Sequence, residues 1–208
     1  MKIGEIKIEA LKLMFASYDH DFSVEDLASM KGAEAYRDHL INIPGSIDRA
    51  FGVLERRGVL PSKSYVITGT IDTLHGISID LKEAVDDFLD VDRVSFRSIY
   101  GEYIPSYPFS REGDTVMMDK LSVGDTYTVH YKPTIKRLRD SASDSDQAPV
   151  PDRIAELIPY FIKSELYREE DPEEASRARS LFDQGISELI DFRATYGAVQ
   201  TVFGMGWE

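Results

Sequence analysis

Cysteine is absent from this chain of 208 residues, and histidine occurs only four times. Without thiols the protein can have no disulfide, no cysteine-ligated zinc and no thiolate nucleophile. The four histidines lie at spacings that match no metal-binding motif. The most suggestive cluster is Asp19-His20-Asp21, which we interpret as a polar loop between helices. We therefore expect no metal site.

Positive charge is also in deficit. The chain has 24 basic and 37 acidic residues, so its net charge is −13 at pH 7. Proteins that bind nucleic acid displace counterions from phosphates with a basic surface, so we expect no sequence-specific nucleic-acid partner. An acidic wall instead repels a duplex and would let it slide past without sticking.

Long apolar runs and catalytic motifs are missing as well. No stretch approaches the roughly 20 apolar residues that a membrane helix needs, and Met1–Ala10 does not resemble a signal peptide. We expect no membrane partner and a protein made in the cytoplasm. No glycine-rich phosphate loop follows a strand, and no Gly-x-Ser-x-Gly elbow occurs. We therefore expect that the protein is not an enzyme and binds no cofactor. A hydrolase that uses scattered carboxylates is an alternative that the sequence leaves open, because an acidic chain offers many carboxylate pairs.

Residues 1–60 show helical periodicity. Ser23 and Asp26 form a capping-box pattern that predicts the start of a helix. We predict that one helix ends at Pro44 and that another ends at Gly58, a residue suited to a helix C-terminus. The helical stripes are Ile6, Ala10, Leu13 and Met14 in the first helix, and Ile47, Ala50, Phe51 and Leu54 in the last.

Residues 61–138 alternate with a period of two. This pattern predicts about five antiparallel strands: Tyr65–Thr70, Gly76–Asp80, Arg93–Tyr100, Thr115–Met118 and Thr126–Tyr131. Four acids between the second and third strands are interpreted as a solvated turn: Asp86, Asp87, Asp90 and Asp92. The region also carries eight aromatic residues: Tyr65, Phe96, Tyr100, Tyr103, Tyr107, Phe109, Tyr127 and Tyr131. Strand aromatics are usually core or cross-strand pairs, and a carbohydrate-binding platform is the alternative.

Residues 139–151 are rich in Ser, Asp and Pro and predict a linker. Helical periodicity returns in residues 152–196, with Pro159 placed to restart a helix and Asp171 placed to cap a long final one. The buried stripe predicted for that final helix is Ala178, Leu181, Phe182, Ile186 and Leu189.

Residues 197–208 form an apolar tail punctuated by glycine. A soluble domain gains nothing by leaving large apolar side chains in water, so the tail either folds back on its own body or binds a partner. We predict partner binding through five residues: Val199, Val202, Phe203, Met205 and Trp207.

The order of these regions predicts an α+β protein. A helical bundle forms from the N- and C-terminal segments, and a small antiparallel β domain is inserted between them. The predicted domains are residues 1–60, 61–138 and 152–196, with the linker 139–151 and the docking tail 197–208.

The segment Pro151–Ala175, continued by Arg179–Ile186, resembles the C-terminal half of bacteriophage head-to-tail adaptor (connector) proteins. Its order is an apolar helix, an acidic turn, a helix rich in Ala and Arg, and an aromatic tail. Asn42–Phe51 resembles an early helix of the same proteins. The helical, β, helical order is similar to that of the tail adaptors of short-tailed phages.

This resemblance implies a structural protein of a phage or prophage without catalytic residues. Such a protein forms a homo-oligomeric ring at the head-tail junction of the virion, between the portal protein and a tail or stopper component. The C-terminal helix and tail, here Ser180–Glu208, would bind the portal. DNA would pass through the ring. The sequence leaves open whether the isolated protein is a monomer, and a ligand-binding role of the β domain stays the alternative function.

Overall fold

A computed structural model describes residues 1–15, 22–69, 76–138 and 143–203. The chain divides into two compact units. The helical unit contains residues 1–59 together with the chain from Arg137 onward, and the β unit contains residues 60–136. This confirms the predicted α+β class, in which a helical bundle from both ends of the chain is interrupted by a small antiparallel β domain.

The helical unit is organised around one central helix. That helix, Ile158–Leu166, contacts the three other long helices of the unit. Its residues Ile158, Phe161 and Ile162 are buried on more than one side because these neighbours surround it. The helices in chain order are α1 (Ile3–Met14), α2 (Leu27–Met30), α3 (Glu34–Arg56), α4 (Leu81–Ala84, in the β unit), α5 (Asp152–Ala155), α6 (Ile158–Leu166) and α7 (Pro172–Phe203).

Helix α3 runs through Pro44, so the prediction of two helices separated at this residue is wrong. Proline removes one backbone hydrogen bond from a helix interior, which favours a break. Here Ile43 and Ile47, on either side of Pro44, are both fully buried, and their shared burial keeps the helix continuous. The predicted end is confirmed, because Gly58 follows α3 with a φ of 63°.

The described part of the predicted linker, from residue 143 onward, is bound to the start of α1. The N–H groups of Ile3 and Gly4 donate to the carbonyls of Asp146 and Asp144, each at 2.9 Å. These N–H groups have no partner within their own helix, so the segment satisfies them. A Cβ on Gly4 would lie 2.8 Å from the Asp144 carbonyl oxygen, which explains why this position has no side chain.

The β unit contains two antiparallel sheets that share one core. The first has the strand order β1-β7-β3-β4 and the second the order β2-β6-β5. Val94 and Val129 of the first sheet and Val116 and Met118 of the second are buried in the same cluster. The strands are β1 (Lys63–Thr68), β2 (Ile77–Asp80), β3 (Phe88–Arg97), β4 (Tyr103–Ile104), β5 (Ser110–Glu112), β6 (Thr115–Met118) and β7 (Thr126–Pro133).

The strand predictions differ from the structure at three places. Strand β3 begins at Phe88 and ends at Arg97, so Tyr100 lies in the following turn and is 91% exposed. Strands β4 and β5 were not predicted, because they have only two and three residues and β5 is wholly polar. The first strand ends at Thr68, and residue 70 lies outside the described part of the chain.

The first half of α7 is packed on α6. Ala178, Phe182 and Ile186 are buried as predicted, and the ring of Phe182 meets that of Phe161 edge-on with centroids 5.1 Å apart. Leu189 is half-buried. Leu181 is 51% exposed, so its predicted burial is wrong. It lies about 100° around the helix from Phe182, which turns it away from α6.

Replacing Phe182 with Ala should lower the free energy of unfolding by about 3–5 kcal/mol, because the change leaves a cavity against α6. The matched control is Leu181→Ala, which we expect to cost less than about 1 kcal/mol since the side chain is largely in water. Urea unfolding followed by far-ultraviolet circular dichroism measures both. Similar losses for the two variants would contradict the packing described for α7.

Candidate docking site

Helix α7 begins at a well-defined cap. The carboxylate of Asp171 accepts a hydrogen bond from the Glu174 N–H at 3.1 Å, which confirms the predicted cap. The carboxylate of Glu174 accepts one from Lys163 at 2.9 Å and another from Arg177. The hydrogen bond from Lys163, followed by its charge, holds the pKa of Glu174 below its ordinary value. The N-terminal end of α7 is therefore fixed to α6.

Burial decreases along α7 after its first half. Ile186 is the last buried residue of the helix for which burial is described. Of residues 187–192, all except Leu189 are exposed, including Ile190 at 38% and Phe192 at 48%. The guanidinium of Arg153 lies 5.8 Å from the centre of the Phe192 ring and covers part of it. Large apolar side chains are thus exposed in residues 187–192 of α7.

The helical backbone then continues to Phe203, so residues 197–203 of the predicted tail belong to α7. The whole helix has 32 residues, and such a helix is about 48 Å long. Three of the five predicted docking residues lie within this helix: Val199, Val202 and Phe203. Met205 and Trp207 lie outside the described residues.

The helical backbone changes how the predicted residues relate to one another. Val199, Val202 and Phe203 stand at spacings of three and four, so they share one face of the last turns. Phe192 and Tyr196 precede Val199 by seven and three residues and continue the same row. These five positions therefore form one row at helical spacing in the sequence of residues 192–203, which we call the apolar row.

Sequence reasoning missed the first members of this row. Leu181 lies eleven residues before Phe192, and eleven residues make almost three whole helical turns. Both side chains are about half exposed, and both lie off the buried stripe of Phe182 and Ile186. The signal was present in the sequence as a second apolar row displaced from the first. It was hidden because Leu181 was assigned to the core stripe.

Most aromatic residues of the β unit are in its core. The rings of Phe96, Tyr107 and Tyr127 contact one another, with centroids between 5.1 and 5.4 Å apart. Tyr131 is also buried, and its ring lies near that of Phe88. Three of the eight are more exposed: Tyr100, Tyr103 and Phe109.

The four acids interpreted as a solvated turn have a different arrangement. Asp90 and Asp92 lie on β3, and Asp90 forms an ion pair with Arg111. Asp87 accepts hydrogen bonds from Lys63 at 2.5 Å and from the hydroxyl of Tyr131 at 2.9 Å. The interpretation is therefore wrong for three of the four residues, because strand pairing brings basic and hydroxyl groups to them. Asp86 is exposed.

The electrostatics around Asp87 follow from these contacts. Burial alone would raise the pKa of Asp87, but the hydrogen bonds from Lys63 and Tyr131 outweigh it, and the pKa lies below its ordinary value. Burial, together with the bond to Asp87, raises the pKa of Tyr131 to about 12. This network links β1, β7 and the turn before β3, which is a structural role.

One histidine contacts a possible nucleophile. Nε2 of His130 lies 3.2 Å from the hydroxyl of Ser95, and burial followed by the charge of Arg93 lowers the pKa of this histidine. Ser95 is only 4% exposed, so its hydroxyl is not accessible to a substrate. Within the described residues, no group of three potential metal ligands occurs. His20 and His75, with the whole Asp19-His20-Asp21 cluster, lie outside them.

None of the helices in the described ranges combines the length and apolar character needed to cross a membrane. No protein-family model matches the chain, and no curated protein matches it either.

Replacing Asp87 with Asn should destabilise the β unit by about 1–3 kcal/mol at pH 6, because Lys63 and Tyr131 lose their charged partner. A carboxyl whose folded pKa is lowered stabilises the fold above its unfolded pKa, near 3.8, and ceases to do so as the pH falls through the folded value. The difference between wild type and variant should therefore shrink below about pH 4. Chemical denaturation across this pH range measures it.

The control is Asp86→Asn, which makes the same charge change at the neighbouring exposed residue. We expect it to change stability by less than about 0.5 kcal/mol at any of these pH values. An Asp87 variant with a pH profile parallel to that of wild type would exclude the proposed network.

Proposed function

We propose that this protein is a structural phage head-to-tail adaptor that joins the portal ring to the next tail or stopper component without catalysis. One observation carries the proposal: α7 is buried up to Ile186, is largely exposed at residues 187–192, and continues as helical backbone to Phe203 through a sequence whose apolar residues recur at helical spacing. The resemblance of Pro151–Ile186 to phage connector proteins supports the same function.

Residues 192–203 of α7 have a sequence spacing suited to binding in a groove. A helix that offers apolar residues at i, i+4, i+7 and i+11 presents the pattern by which helices bind hydrophobic grooves of partners. Phe192, Tyr196, Val199 and Phe203 have this spacing and span about 16 Å along the axis. Aromatic residues are frequent among those that dominate binding energy at interfaces. We propose that this row binds a hydrophobic groove of the portal protein.

Charge supports a position around DNA. A protein with a net charge of −13 repels a passing duplex, and a wall that repels DNA lets the genome move through a channel without binding it. The adaptor would be part of the virion at the head-tail junction after synthesis in the host bacterial cytoplasm. Its copies would form a ring against the portal.

Replacing Val199 with Asp should weaken binding to the portal ring by roughly 30-fold or more, because it places a charge within the apolar row. Thr201→Asp is the matched control, since it adds the same charge in the same turn but lies about 160° from Val199 around the helix. Analytical ultracentrifugation with portal rings from the same phage or prophage measures the affinity, and circular dichroism checks the fold.

A chain ending at Tyr196 extends the test. We expect it to stay folded, since it keeps every residue of α7 that is described as buried, the last of which is Ile186, and to remain free of the portal ring. The adaptor proposal would be abandoned if full-length protein did not bind the portal ring under conditions in which both proteins are folded. It would need a different anchor if Val199→Asp and Thr201→Asp bound equally well.

A further inference from the structure

The helical unit contains a cationic cleft that the portal-docking role does not use. The cleft has a volume of about 770 Å³ and lies between α1, α3 and the segment at Ser143 and Asp144. Four of its lining side chains are basic, Lys7, Lys31, Arg37 and Arg49, and one is acidic, Asp144. Such a surplus of positive charge is unexpected in a protein whose net charge is −13.

Within the described ranges, the carboxylates that pair with the cleft, Asp144 and Glu165, do not neutralise its four basic side chains. Asp144 is 2.5 Å from the Nζ of Lys7, whose side chain is only 8% exposed, and 3.7 Å from that of Lys31. Arg49 reaches out to Glu165 at 3.0 Å. No ion pair within the described part of the chain involves Arg37. The Lys7–Asp144 pair thus forms a fixed floor, while Lys31 and Arg37 remain largely available at the rim.

The same chain exposes a matching acidic element. The turn between α6 and α7 carries Glu169 and Glu170, which are exposed and form no ion pair with the residues that the structure describes. The turn is held in place at both ends. The hydroxyl of Tyr167 donates to the Met14 carbonyl at 2.5 Å, and the Asp171 N–H donates to the Tyr167 carbonyl at 2.8 Å. A fixed acidic turn loses little entropy on binding.

We propose that the cationic cleft of one copy binds the acidic turn, Glu169 and Glu170, of a neighbouring copy. Within the described residues of one chain these glutamates form no ion pair with Lys31 or Arg37, so the proposed contact joins two molecules. Two different surfaces then meet head to tail, and a contact of this kind generates a ring when the rotation closes. This inference rests on the ring required by the proposed function and names the contact that would close it.

The test uses two double variants of the full chain. Lys31→Gln with Arg37→Gln neutralises the rim of the cleft and leaves the turn, whereas Glu169→Gln with Glu170→Gln neutralises the turn and leaves the cleft. Each alone should self-associate at least about tenfold more weakly than wild type. An equimolar mixture should form dimers that do not grow further, because it combines one intact cleft with one intact turn. Light scattering over a concentration series measures the mass of each sample.

Controls separate this contact from a general charge effect. Glu83→Gln with Asp86→Asn makes the same charge change as the turn variant on exposed residues of the β unit and should self-associate as wild type does. Added salt should weaken wild-type association, since the contact is between exposed charges. The inference is overturned if the mixture stays monomeric, or if either cleft or turn variant associates like wild type.

The result is independent of portal binding. Dimers in the mixture together with failure to bind the portal would support the contact and exclude the portal role. Portal binding by the wild type, together with a mixture that stays monomeric, would support the portal role. It would exclude the contact between the cleft and the turn.

Discussion

The structure depends on the burial of α6. This short helix supplies the apolar surface against which α1, α3 and α7 are packed, so residues from both ends of the chain share one core. Helices α1 and α3 from the N-terminal end are packed on α6, and α6 is buried by them as well as by α7. The β unit can interrupt the chain because its own core is complete, formed between two sheets that contain residues 60–136 only. The α+β class follows from these two independent cores.

The periodicity of the sequence was sufficient to predict the fold class, because helical and alternating patterns separate cleanly at the boundaries of the β unit. It failed where tertiary contacts outweigh local preference. Pro44 predicts a break, but burial of Ile43 and Ile47 keeps α3 whole. Segment 143–150 has the composition of a linker, but its carbonyls cap α1. The polar strand β5 has no apolar alternation and could be recognised only through its partner β6.

The sequence indicated where the candidate docking residues lie, but not that Val199, Val202 and Phe203 belong to a continuous helix. Apolar residues after position 196 indicated a docking element, and their spacing was the spacing of a helix, yet Gly197 favoured a separate tail. The structure extends α7 through that glycine. The cationic cleft could not be predicted, because Lys7, Arg37 and Asp144 are far apart in sequence and only the packing of α1 beside residues 143–146 brings them together.

The division of the helical unit between the two ends of the chain has a consequence for synthesis on the ribosome. Domains fold as units while the chain emerges, N-terminal segments first. Helices α1 and α3 emerge before α6 exists, so the helix on which both are packed is missing until translation has passed Leu166. The β unit, complete at residue 136, can fold meanwhile. The part of the protein that is made first is therefore among the last to become native, and its exposed apolar surface is prone to aggregation during that interval.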